Sequence, residues 1–281
     1  MRRRRVLASL NEIMMDIFSH NRSAWDALTA GGNRWTVPVS AEEISRARRG
    51  EWSVLLTPSK SVPVEWFGDL QGKDVLALAS GGGQQGPILS AAGARVTVFD
   101  ASPAQLERDR QVAAREGLTL ETAEGDMADL SKFADAAFDL IFHPCSNSFV
   151  PRLEPVWREA SRVLRPGGRL LSGFCQPVLY LVDEKADERG EIVVRYRIPY
   201  SDLSQLTPAE LQAKTEFGKT LDFGHSLEDQ IGGQILAGLV IAGFYEDSWA
   251  PGVSAISDRI SCFAATLAIK PPAALLRKAK K

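Results

Sequence analysis

The chain has 281 residues, 44% hydrophobic and 24% charged, which is enough apolar material to bury a substantial core in one large domain with embellishments. Its 33 Lys and Arg nearly balance 35 Asp and Glu, for a formal net charge of −2, so it has no global attraction for nucleic acid. Three scattered cysteines, Cys145, Cys175 and Cys262, exclude a disulfide framework or a zinc site, and no segment is apolar enough to span a bilayer, so a cytoplasmic protein that uses no metal and no membrane is expected.

The N-terminus opens on Arg2, Arg3, Arg4 and Arg5, superficially like a secretory signal, but Asn11, Glu12 and Asp16 interrupt the apolar stretch that follows. Val6, Leu10, Ile13 and Ile17, with Leu7, Met14 and Phe18 alongside, instead describe an amphipathic helix that docks on the domain or on a second copy, as in a homodimer. The basic ends, including Arg277, Lys278, Lys280 and Lys281, could touch phosphate or anionic lipid; solvated tails are the simpler reading. Residues 1–68 form a cap carrying Trp25, Trp35, Trp52 and Trp66, four of the six tryptophans. They either staple an irregular segment to the core or enclose an apolar ligand, with Trp35 and Trp52 the preferred pocket residues.

Residues 75–79 are a short apolar run bounded by turn signals and predict a strand buried on both faces. Ser80, Gly81, Gly82, Gly83, Gln84 and Gly86 follow. Glycines there permit positive φ and bring backbone amides close to a ligand, while a helix opening near Pro87 directs its positive end to the same place. A second strand, 95–99, closes at Asp100, ahead of Ala101 and Ser102, where a carboxylate can accept both hydrogen bonds of a ribose diol. Gly81, Gly83, Gly86 and Asp100 also match the dinucleotide fingerprint, so a nicotinamide-dependent oxidoreductase is the first rival.

A third strand, 119–123, leads into Gly125, Asp126 and Met127, a carboxylate and a thioether that suit an adenine's amine and ring face. Residues 138–142 read as a fourth strand entering a loop at His143, and 163–171 as a helix end, a tight Arg165-Pro166-Gly167-Gly168 turn and a fifth strand. With these motifs in this order, the sequence resembles the class I S-adenosylmethionine-dependent methyltransferases, and a smaller bacterial branch of them in ASGGGQQGP, FHPCSNSFV and GHSLEDQIGGQ.

The resemblance implies an α/β, Rossmann-like seven-stranded sheet, mostly parallel with an antiparallel C-terminal hairpin and helices on both faces. It implies a domain over 69–270, an insertion at about 176–225 and a basic tail over 271–281. It implies S-adenosyl-L-methionine as cofactor and S-adenosyl-L-homocysteine as product, with Ala79, Ser80, Gly81, Gly82, Gly83 and Gln84 around the methionine portion. Asp100, Ala101 and Ser102 would flank the ribose, Gly125, Asp126 and Met127 the adenine, and His143 the sulfonium. Alanine stands at 77 and 79 where the family usually has an acid and a first glycine; Ala79 fits a tight turn if its φ is negative, and Gln84 or Gln85 could replace lost hydrogen bonds.

In the insertion, residues 192–198 predict a strand, and Tyr180, Tyr196 and Tyr200 are candidate acceptor contacts. Ser226 and Asp229 suggest a capping box opening a helix through Gln230, Gln234 and Leu239, stopped by Gly243; residues 244–249 and 262–269 are the closing strands. His143 and His225 are the candidate general bases, each with the alternative of a histidine bonded to nearby backbone, and Asn147 is a candidate orienting amide. A small-molecule acceptor attacked at N, O or C, of aromatic or indole type on the strength of the tryptophans, is the expected substrate. A non-catalytic S-adenosylmethionine-binding regulator is the other alternative.

Overall fold

A computed structural model describes residues 17–272; the expectations resting on 1–16 and on 273–281, including both basic ends, lie outside the described residues. Its centre is a seven-stranded sheet in the order β3-β2-β1-β4-β5-β9-β8. These strands are β1 (Asp74–Leu78), β2 (Arg95–Asp100), β3 (Leu120–Glu124), β4 (Phe138–His143), β5 (Leu164–Cys175), β8 (Val240–Asp247) and β9 (Phe263–Ile269). β6 (Tyr200–Ser201) and β7 (Phe223–Gly224) form a separate two-stranded ribbon in the insertion.

The pairings among β1 to β5 are parallel, whereas β9 runs antiparallel between β5 and β8. Val75, Leu76, Ala77 and Leu78 of β1 are wholly buried because a central parallel strand is covered on both faces. One face packs Val75, Ala77, Val96, Val98 and Phe142 with Trp66 and Phe67, and the other packs Leu76, Leu78, Phe99 and Ile141 with Trp157. The helices that matter for the site are α1 (17–30), α2 (Ala41–Arg48), α3 (Gln85–Ala91), α4 (Pro103–Glu116) and α5 (Glu154–Val163). Ser102 caps α4 by accepting the Gln105 amide, and Pro103 occupies its first turn, so the chain leaves β2 directly into a helix beside the strand's carboxyl end.

Three expectations change. Residues 192–198 are not a strand; among the described residues the only β-pairing there is an isolated bridge of Val194 to Val182. The tight turn at Gly167, with φ +83, is absorbed into β5 rather than preceding it. The helix opening at Ser226 ends at Gly238, with φ +85, not at Gly243, and it contains a π-turn over Glu228–Gly232. Gly243 lies inside β8, where a Cβ would sit 2.8 Å from the Trp66 indole. The capping box itself is present: Asp229 accepts the Ser226 amide at 3.1 Å, and Ser226 Oγ accepts the Asp229 amide at 3.1 Å. No helix of the described residues is long and apolar enough to cross a membrane.

Candidate active site

The glycine turn leaves β1 through Ala79, whose φ is +47. That differs from the negative φ that an alanine would prefer: a residue with a Cβ occupies the left-handed region that favours glycine. The Ala79 amide still donates to the Phe99 carbonyl at 2.7 Å, which ties the turn to β2. Gly82 and Gly83, with φ +116 and +76, require their lack of a side chain twice over. A Cβ on Gly82 would lie 2.7 Å from the Trp35 carbonyl oxygen, and one on Gly83 would lie 3.0 Å from that of Arg108. Gln84 Nε2 donates to the Arg34 and Val37 carbonyls, both at 2.9 Å, so the segment that precedes α2 is clamped onto the turn.

Two carboxylates hold this turn from beneath. Asp100 accepts the Gly81 amide and the Ser102 amide, each at 2.9 Å, and burial pushes its carboxyl up to about 6 against the pull of those donors. Asp109, fully buried on α4, accepts the Gly82 amide at 2.9 Å, and burial drives it up to about 8. Asp109 is not among the residues expected from the sequence. Its signal was present, an acid one helical turn past Gln105 on the face turned toward the glycines.

The strand ends and the cap enclose a cavity of about 330 Å³. Of the expected cofactor residues, Ala79, Ser80, Gly81, Gln84, Asp100, Ala101, Gly125, Asp126 and Met127 line it together. Gly82, Gly83 and Ser102 do not: the first two face Trp35 and Arg108, and Ser102 turns its hydroxyl to Asp26 at 2.6 Å. Burial raises the Asp126 carboxyl, while the Ala128 amide, at 2.9 Å, holds one of its oxygens in place. Ser80 Oγ is buried without a hydrogen-bond partner.

The other half of the cavity is aromatic. Trp35 belongs to it as expected, 6.4 Å from Trp249, and Arg34 lies 4.1 Å over the Trp35 ring and 4.9 Å over Trp249. Trp249 meets Phe263 edge-on at 4.9 Å, and Trp25 meets Phe149 at 5.2 Å. Trp25, Phe149, Trp249 and Phe263 all line the cavity; Trp25 was one of the four cap tryptophans expected either to staple or to enclose, whereas the other three were not singled out as pocket residues. Phe149 lay within the FHPCSNSFV segment, whereas Trp249 became legible only when the β8–β9 connection folded back over the cap.

Other expected residues stand elsewhere. Trp52 packs edge-on against Phe67 at 5.0 Å in the core and does not line the cavity. No residue of 176–225 lines the cavity; Tyr180 stacks on Tyr200 at 5.5 Å and Tyr196 meets Tyr200 at 5.0 Å. The insertion instead buttresses α1, where Asn21 accepts the Leu221 amide at 2.7 Å and donates to the Leu221 and Phe149 carbonyls at 3.0 Å.

The histidines are also corrected. His143 is fully buried behind the cavity wall, with Nδ1 3.0 Å from the Leu78 carbonyl and Nε2 2.7 Å from the Asn147 side chain, and burial lowers its pKa. His225 bonds the Asn147 and Val150 carbonyls at 3.0 and 2.9 Å and is likewise lowered by burial. Asn147 turns its amide away from the cavity to Gln230. Neither ring therefore faces the space where a proton would be taken. Cys145 and Cys175 do line that space, but the neighbouring Cys175 thiol and burial hold the Cys145 thiol well above its ordinary pKa, the reverse of an activated nucleophile.

A family model described as a methyltransferase domain matches residues 76–172. The uncharacterized methyltransferase YbaJ of Bacillus subtilis (strain 168) is 47% identical over 257 residues, covering 92% of this chain and 100% of YbaJ. Among solved structures, an S-adenosylmethionine-dependent methyltransferase from Mesorhizobium loti superposes with a TM-score of 0.58 at 18% identity, over 73% of this chain and 94% of that one. Geranyl diphosphate C-methyltransferase from Streptomyces coelicolor A3(2), solved with S-adenosyl-L-homocysteine, gives 0.50 at 17% identity, over 73% and 76%. These likenesses favour neither the nicotinamide-dependent oxidoreductase nor the non-catalytic regulator.

Proposed function

The chain belongs to the S-adenosylmethionine-dependent methyltransferases, and from that premise we propose that its acceptor is a small, largely apolar aromatic metabolite, of indole type among others, methylated at N, O or C. One observation carries the reading: a single cavity joins the glycine turn, Asp100 and Asp126 at one end to Trp25, Trp35, Phe149 and Trp249 at the other.

The residues present fit the cofactor. Ser80 Oγ is a buried, unpartnered polar atom on the cavity wall beside the turn, and it can take up a hydrogen bond there. Asp100, its orientation fixed by the Gly81 and Ser102 amides, would accept the ribose hydroxyls. Asp126 would accept the adenine amine, with one of its oxygens already held by the Ala128 amide, and Met127 would pack on the ring. The bound cofactor supplies a methyl group already activated by its positive sulfur, so the chain's task is alignment and exclusion of water.

On the acceptor side, Trp35 and Trp249 close the cavity from above, with Arg34 laid across both rings. Their ring faces suit a flat apolar acceptor and also lower the energy of a nearby cation. Ser146, Ser148 and Asn21 place neutral polar atoms among the apolar walls. Among the described lining residues the only carboxylates are Asp100 and Asp126, both at the cofactor end; the cations Arg22 and Arg152 also line the cavity, each already in an ion pair, with Glu124 and Glu154, so shape and apolar burial carry most of acceptor binding. The bound cofactor would supply the methyl group, the carbon–sulfur electron pair staying with the departing S-adenosylhomocysteine as the acceptor's lone pair or electron-rich carbon bonds the methyl, and any acceptor proton would pass to solvent.

Trp249→Ala tests the assignment of the two halves. Affinity for S-adenosylhomocysteine should stay within about twofold, while methyl transfer into a metabolite extract falls at least tenfold. Equal loss of both would overturn the division.

A further inference from the structure

Behind the acceptor wall runs a buried chain of side chains that joins the three segments ASGGGQQGP, FHPCSNSFV and GHSLEDQIGGQ. It starts at the Leu78 carbonyl, one residue before Ala79, and passes through His143 Nδ1 at 3.0 Å. It continues from His143 Nε2 to the Asn147 side chain at 2.7 Å and from Asn147 to the Gln230 side chain at 2.7 Å. Gln230 sits in the π-turn Glu228–Gly232, a rare geometry that recurs at functional sites. The turn is itself fixed: Gln234 Nε2 donates to the Gln230 carbonyl at 2.8 Å, and Thr266 of β9 donates to Gln234 Oε1 at 3.1 Å. His143, Asn147, Gln230 and Gln234 are all at most 2% exposed.

The direction of this chain follows from elementary bonding. A carbonyl can only accept, so His143 Nδ1 carries a proton for Leu78. With Asn147 Oδ1 toward Nε2, the ring would need a second proton and become an imidazolium. Its surroundings are the Leu78 carbonyl, the Ser146 hydroxyl at 3.4 Å, the Asn147 amide and the edge of Trp157 at 6.0 Å. None of these is an anion, and burial lowers the ring's pKa, so the cation has nothing to support it. Turning both amides by 180° leaves every heavy-atom distance in place and satisfies a neutral ring. Gln230 Nε2 then donates to Asn147 Oδ1, and Asn147 Nδ2 donates to His143 Nε2.

We propose that Gln230 is a positioning residue for methyl transfer: acting as the terminal donor of this one-way chain, it holds the loop 144–151 against the end of β1. The proposal rests on reading that loop as acceptor wall. Pro144, Cys145, Ser146, Ser148, Phe149, Val150 and Pro151 of the loop line the cavity, while Asn147 alone points backward into the chain of amides. His225 reinforces the same loop from the other side by donating to the Asn147 and Val150 carbonyls. A residue more than eighty positions from His143 thereby fixes the distance between the cofactor turn and the acceptor wall.

Nitrogen-15 spectroscopy of the full-length protein tests the chain without any acceptor. The expected result is a neutral His143 protonated on Nδ1, with a scalar coupling across the hydrogen bond from Asn147 Nδ2 to His143 Nε2. In Gln230→Met, which keeps the volume and removes the donor, that coupling should vanish while S-adenosylhomocysteine affinity stays within about twofold; methyl transfer into a metabolite extract should fall at least tenfold. A wild-type His143 protonated on Nε2 overturns the proposal whatever the fate of the methyl-transfer reading. So does a Gln230→Met protein that keeps both the coupling and the transfer rate.

Discussion

Asp100 Oδ2 accepts the Gly81 amide at 2.9 Å, so the acid that ends β2 and the first glycine of the turn after β1 are one unit. A Cβ on Gly81 would lie 3.2 Å from the Asp100 carboxyl carbon and 2.8 Å from Gln105 Cβ, which leaves no room for a larger residue between them. Removing Asp100 therefore takes away both a ligand acceptor and a support of the turn. Asp100→Ala should weaken S-adenosylhomocysteine binding by about 1–3 kcal/mol, read by calorimetry. The same titration should show affinity falling below about pH 6, as the carboxyl of the unliganded protein takes up a proton and loses acceptor capacity. Unchanged affinity in a folded Asp100→Ala protein would remove this residue from the site.

Asp109 predicts a pH dependence of stability. Its folded pKa, about 8, lies above the ordinary carboxylate value, so between about pH 4 and 8 the folded state holds a proton that the unfolded state has released. Stability from this group is thus greatest at low pH and is lost as pH rises toward 8. Asp109→Asn keeps an oxygen for the Gly82 amide and removes the titration. Thermal melts from pH 5 to pH 8 should show the variant gaining on the wild type as pH rises; a constant difference would contradict the account.

Ala79 carries a backbone cost. A non-glycine residue at φ +47 is strained by roughly 1–2 kcal/mol, of which a glycine's greater unfolded-state freedom takes back up to about 1 kcal/mol. Ala79→Gly should shift the urea midpoint slightly upward and Ala79→Val clearly downward. A lower midpoint for the glycine variant would mean that the turn is not strained there.

The acceptor wall leans on β5 at one glycine. A Cβ at Gly173 would fall 2.1 Å from the Leu56 carbonyl oxygen, a backbone atom that cannot swing aside, and Leu56 lines the cavity. Gly173→Ala should lower stability by about 1–3 kcal/mol through overpacking, measured by thermal or urea unfolding. A neutral substitution would show that the segment around Leu56 moves freely.

The parts of this site that could be read from sequence are those built by local chain logic. The apolar run of β1, the glycines after it and the acid closing β2 are adjacent in the chain, and strand-to-helix geometry alone brings them to one sheet edge. Asp109 escaped because its partner Gly82 lies 27 residues earlier and only helix packing joins them. His143 misled for a different reason: its position at the end of β4 was right, but the side chain turns back under the sheet edge to Leu78 instead of outward. Tyr180, Tyr196 and Tyr200 clustered with one another because the insertion needed its own small core. Trp249 was invisible as a partner of Trp35 because nothing in the sequence relates residues 214 positions apart.

Incubating the protein with S-adenosylmethionine labelled in its methyl group and an unfractionated extract, then separating low-mass organic-soluble material from RNA and protein, tests the central claim most directly. The account predicts label in a low-mass, apolar, aromatic-containing fraction, lost in Trp249→Ala. Label confined to RNA or protein would contradict it.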